Sequence, residues 1–321
     1  VENSTAAITA PRHSIQNPAF KIQNPSPSSM PQLAYILSQP RSGSTVLSAM
    51  LDKRKGIVCM PESSFPQVLG AVSDKERNDL RWMAAMYIGS TFPSTPRPPT
   101  PLTLDEAESC MHGDNGQTLF SLGRVLAEKI GRDANEVTTV VWKTTRTIGL
   151  HRGPLTTSGK FILLRRNLHN VFESQFRVDF GVRNRNPFRY AVFAHSYEHA
   201  FARLPKERTF ELNYETIPNQ LHALIDFLGM EDRGEWDKGP SSLELVTKNA
   251  SWLTEVTKEF RNTDAEKRAS LDKRQVSSLN KAWSLTRPFR PLLGPLRRYF
   301  DQRSMNDIRD VARHILATEG P

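Results

Sequence analysis

Apolar positions along this chain follow two alternating rhythms. Short runs rich in Val, Ile, Leu and aromatic residues, at 33–37, 56–60, 138–143, 161–166 and 209–213, read as buried strands. Between them apolar residues recur at helical spacing: Val46 to Leu51, then Leu80, Met83, Ala84 and Tyr87, then Leu122, Val125, Leu126 and Ile130. The same spacing continues through Val171, Phe172 and Phe176, through 187–204, and through Ile217, Leu221, Leu224, Ile225 and Leu228, where Gly229 signals the end of the helix. This alternation predicts an α/β fold, a single domain whose central parallel sheet is flanked by helices on both faces. Beyond Ser241 the chain reads as helical or irregular, broken at Pro288–Pro295 before a last helix near 305–316.

Two stretches lack either rhythm. Residues 1–31 are rich in Pro, Ser, Asn and Gln and are expected to form a flexible arm or linker, which leaves 32–321 as the folded domain. Five prolines between Pro93 and Pro101 predict a surface loop.

An apolar content of 38% over 321 residues suits a soluble core. No run approaches the roughly 18 to 20 residues of a membrane span, and the first residues lack a secretory apolar stretch. Cys59 and Cys110 form neither a metal-ligand spacing nor a disulfide framework, so a reducing, cytoplasmic setting is expected. The formal charge of +9 fits an anionic ligand. Nucleic acid fits on charge alone, but no recognition module supports it. His195 and His199 stand at i, i+4 without an HExxH pattern or a nearby cysteine, so no metal site is expected.

The candidate chemistry gathers where strands end. Leu33–Gln39 leads through Pro40, Arg41, Ser42, Gly43, Ser44 and Thr45 into a helix, a strand–loop–helix layout that binds anions. Gly43 permits close backbone approach, Ser42 to Thr45 supply N–H groups, Ser44 and Thr45 add hydroxyls, and Arg41 adds a forked cation. The second glycine and the lysine of the nucleotide-triphosphate loop are missing, which disfavours a P-loop kinase or related ATP- or GTP-binding protein. Glu62 follows the second strand and Lys143 ends the third; each could equally be a solvated strand-end residue. Arg166 ends the fourth strand, and Ser174 follows about two helical turns later. Arg177, Arg183, Arg185 and Arg189 make the next segment basic.

Taken together these segments resemble the sulfotransferases that use 3′-phosphoadenosine-5′-phosphosulfate (PAPS), over roughly Leu33 to Met230. Pro40–Thr45 is similar to the family's 5′-phosphosulfate loop, Arg166–Ser174 to its 3′-phosphate motif, and Leu212–Glu215 to its Tyr-Glu segment, which implies that Tyr214 lies near the adenine. Glu62 resembles the base of the tyrosylprotein and glycan branch. Thr145 stands where the cytosolic branch has a histidine. The resemblance implies a sulfuryl transfer with Glu62 as base, Lys143 and Arg41 stabilising charge, and Arg41, Ser42, Gly43, Ser44, Thr45, Arg166, Ser174 and Tyr214 holding the nucleotide. It implies no metal, 3′-phosphoadenosine-5′-phosphate (PAP) as product, and a small-molecule or carrier-protein-tethered alcohol as acceptor rather than nucleic acid or membrane.

Overall fold

The computed structural model describes residues 31–91, 101–144, 157–176, 185–231, 234–236 and 264–319. The expected arm at 1–31 lies outside these apart from Pro31, and so do most of the proline loop, Thr145, Arg177 and Arg183.

Five strands form one parallel sheet: β1 (Gln32–Ser38), β2 (Ile57–Met60), β3 (Thr139–Thr144), β4 (Lys160–Arg165) and β5 (Thr209–Asn213), in the order β2-β3-β1-β4-β5. β1 pairs with β3 (Ile36 opposite Lys143) and with β4 (Ile36 opposite Ile162). All five carboxyl ends therefore share one edge. The chain departs from β1 in both directions, which opens a crevice at the end of that strand.

Alternate residues of each strand enter different cores. Leu33, Tyr35, Leu37, Val140, Trp142, Phe161 and Leu163 face one side, and Ala34, Ile36, Val141, Ile162 and Leu164 the other. Both sides are covered, which is why the strands read as unbroken apolar runs.

One side is covered by α1 (Ser44–Asp52) through Leu47 and Leu51. The opposite side carries α2 (Phe65–Leu69), α3 (Asp74–Arg77), α4 (Leu80–Ser90), α5 (Leu104–Glu108) and α6 (Asn115–Lys129); all but α3 put buried residues into its core. Gly123 of α6 sits so close to β3 that a Cβ there would overlap Val140. Next come α7 (Leu168–Phe176) and α8 (Pro187–Phe201), and then α9 (Ile217–Phe227), which joins α1 through Leu224 and Ile225. After 263 the chain forms α10 (Asp264–Ser270), α11 (Lys273–Thr286) and α12 (Leu293–Glu319). Met305, Ile308, Ala312 and Ile315 of α12 close the core over α4.

Helix boundaries depart from the periodicity where caps override it. The stretch from 74 to 90 is two helices, α3 and α4, because Asp79 caps α4 by accepting from the Trp82 N–H. α6 starts before its first apolar position, at a capping box of Asp114 and Gln117. The last helix begins at Leu293, with Pro295 accommodated in its first turn.

Two buried features hold this frame. Arg132 grips Asp52 with both terminal nitrogens at 3.1 and 3.2 Å, and the Cys59 N–H donates to the same carboxylate at 2.7 Å. Cys59 lies in the core on the α1 and α9 side and Cys110 in the core on the opposite side. Burial raises both thiol pKa values, that of Cys110 to about 11.

Candidate active site

The loop after β1 is built for close approach. Among the described residues Arg41 is the only non-glycine with positive φ, at 70°, and Gly43 follows at 92°. Left-handed residues stand on either side of Ser42, and Gly43 caps the start of α1, whose first N–H groups would face an anion without a side-chain cap. The loop is fastened below by the Ser42 N–H on the Gln39 carbonyl at 3.2 Å, and Ser42 and Ser44 are buried. A Cβ on Gly43 would overlap the Tyr214 ring. Gly43→Ala is therefore expected to destabilise the protein by about 1–3 kcal/mol, read as a lower denaturation midpoint, because it adds both strain and overlap.

Register brings the other strand-end residues to this loop. Lys143 is buried at the end of β3, beside β1; its Nζ donates to Thr45 Oγ1 at 2.9 Å and stands 3.3 Å from Glu62 Oε2. The lysine side chain is 6% exposed and that of Glu62 36%, so the cation is enclosed while the carboxylate reaches the open side of the cleft. Thus Glu62, Lys143 and Thr45 form a line from solvent to the loop.

On the β4 side, Arg166 donates from one terminal nitrogen to the Arg41 carbonyl at 3.0 Å, and its guanidinium lies 3.9 Å from the centre of the Tyr214 ring. Arg41 Nε donates to Ser174 Oγ at 3.2 Å. Arg41, Arg166, Ser174 and Tyr214 therefore meet at one place, with Ser174 turned to Arg41 rather than to Arg166. Tyr214 is buried, its ring packed between Gly43 and Arg166, and burial raises its hydroxyl pKa. Burial and the charge of Arg166 press against ionisation of Arg41, partly offset by Glu173 and Glu62.

Other functional groups here carried no sequence signal. Asp264, first residue of α10, accepts from Arg166 Nε at 3.0 Å and from a terminal nitrogen of the same guanidinium. Burial of Asp264 is outweighed by these hydrogen bonds and one with Glu215, which hold its carboxyl below the usual range. Burial and Asp264 push Glu215 up. Lys267 of the same helix falls to about 8 through burial and the Arg166 charge. Ser270 at the end of α10 donates to Glu173 Oε1 at 3.2 Å. No motif spacing links 166 to 264; only the docking of α10 on α7 does.

Among the described residues, no group of three or more His, Cys, Asp or Glu could hold a metal, and no helix is long and apolar enough to cross a membrane. His195 stacks on Trp283 at 3.7 Å between ring centres and bonds its carbonyl, a core position.

No curated protein sequence matches the chain. Among solved structures, it is similar to the sulfotransferase domain of the Synechococcus PCC 7002 olefin synthase (19% identity, TM-score 0.45, 82% of this chain and 98% of that one). It is similar also to the sulfotransferase domain from the curacin biosynthetic pathway (18%, TM-score 0.40, 79% and 99%). A third is retinol dehydratase in complex with androsterone and inactive cofactor PAP (15%, TM-score 0.33, 79% and 80%). Residues 34–234, from the first buried strand past the last and most of the chain, match the family model described as "Sulfotransferase family". The chain belongs to the sulfotransferase family.

Proposed function

We propose that this protein transfers the sulfuryl group of PAPS to an acceptor hydroxyl by in-line displacement, with Glu62 as base, as in the tyrosylprotein and glycan branch. One observation carries the reading: Lys143 Nζ stands between Thr45 of the anion loop and the Glu62 carboxylate, at 2.9 and 3.3 Å. A proton acceptor and a charge-stabilising cation therefore lie together at the mouth of an anion site.

The residues gathered here have the chemistry such a donor needs. The N–H groups that open α1 after Gly43 and the hydroxyls of Ser44 and Thr45 offer neutral donors to its sulfated end, with Arg41 as cation. Arg166 and Ser174 gather at the other side of Arg41, where a ribose 3′-phosphate would be held, and Tyr214 borders both groups. Bound there, PAPS would supply a sulfuryl group on a phosphate leaving group. Glu62 takes the proton of the acceptor hydroxyl, and its partly exposed carboxylate meets an acceptor arriving from solvent. Lys143, enclosed, holds charge that grows toward the loop. A small-molecule or carrier-tethered alcohol is the acceptor of this reading, and the cytoplasm its setting.

Incubation with labelled PAPS and a panel of small and carrier-tethered alcohols tests the proposal. Label should reach a hydroxyl with release of PAP; preference for ATP with magnesium over PAP in binding, or transfer to tyrosine peptides alone, would refute it. Lys143→Met should lower kcat by about 100- to 1000-fold, the loss typical of one preorganised donor to developing charge, measured under saturating donor.

A further inference from the structure

The arginine assigned to the ribose phosphate is already occupied. Its Nε and one terminal nitrogen point at Asp264 Oδ1, its other terminal nitrogen at the Arg41 carbonyl, and one face lies on Tyr214. The Arg166 side chain is 4% exposed and that of Asp264 2%. A phosphate binds guanidinium through the same forked edge that Asp264 takes, so as folded here the edge has no room for one.

We infer that α10 is a strap whose Asp264 carboxylate stands in for the donor's 3′-phosphate on Arg166, closing that end of the cleft until a nucleotide bearing the phosphate displaces it. The inference rests on the proposed reading of Arg166. Two features favour exchange over permanent closure. The strap is a single seven-residue helix, held at its far end by the Ser270 to Glu173 hydrogen bond. Arg41, Arg166 and Lys267 crowd positive charge around Asp264 and Glu173, and a phosphate dianion would answer that charge more fully than the single carboxylate of Asp264.

Closure lowers apparent affinity by the fraction of molecules that are open. Asp264→Asn keeps the shape and an acceptor oxygen but removes the charge that competes with phosphate. By calorimetry this variant should bind PAP about 10-fold tighter than wild type, with affinity for adenosine 5′-monophosphate, which lacks the 3′-phosphate, unchanged. Weakened or unchanged PAP binding in the variant, with wild type still preferring PAP over the monophosphate, would overturn the strap, make Asp264 a residue that merely orients Arg166, and leave the donor reading standing. Equal affinity for the two nucleotides in both proteins would overturn the assignment of Arg166 itself. Stopped-flow tryptophan fluorescence on wild type covers the case of a variant that does not fold. The observed rate of PAP binding should level off with concentration at the rate of strap opening, while that of the monophosphate rises linearly; a linear rise for PAP would overturn the inference.

Discussion

Glu62→Gln is expected to lower kcat by about 100- to 10,000-fold, the usual contribution of a positioned general base, while leaving PAP affinity intact. Glutamine matches the carboxylate in size and can still accept from Lys143 Nζ, 3.3 Å away, so the cleft keeps its shape. What it cannot do is take a proton from an acceptor hydroxyl. The fall should therefore appear in kcat and kcat/KM together, the signature of an interaction made in the transition state. Single-turnover assays with labelled PAPS, paired with PAP calorimetry, separate the two effects. A wild-type rate would end the assignment of Glu62, and lost PAP binding would show that its role is to hold Lys143.

The largest expected effect on stability lies far from the chemistry. Asp52→Ala should cost about 3–5 kcal/mol, because it strands a buried guanidinium. Arg132 is 2% exposed and Asp52 fully buried, the two nitrogens meet the two oxygens, and the Cys59 N–H loses its acceptor as well. The loss should appear as a lower urea midpoint at unchanged slope. The double change Asp52→Leu with Arg132→Met should recover most of it, since replacing both partners removes the unpaired charge. A double variant as unstable as Asp52→Ala would mean that the Cys59 N–H contact, not the ion pair, carries the energy.

The sheet and the centre of the site were legible because both rest on local patterns. Strands covered on two faces show as apolar runs, and in a parallel sheet their ends must share an edge; Arg41, Glu62, Lys143 and Arg166 are strand-end residues and so were drawn together. Gly43 was legible as a loop glycine, but not the reason it is needed, since Tyr214 comes to it from the far end of β5. The short helices α2 and α5 escaped notice because five residues give little periodicity, and α5 is announced only by the capping box of Thr103 and Glu106. Asp264 and Lys267 were invisible for a deeper reason: their role depends on α10 docking on α7, and nothing in the local sequence of a short charged helix encodes where it docks. The Arg132–Asp52 pair, a contact across 80 positions, was hidden in the same way.

The placement of the chain's two cysteines has a practical consequence. One is sealed on each side of the sheet, and neither ionises readily. An alkylating reagent can reach them only through local opening, so each thiol is a native clock for its own half of the molecule. Resolving the two modified peptides by mass would time separately the loosening of the layer under the anion loop and that of the layer behind it, with no label introduced.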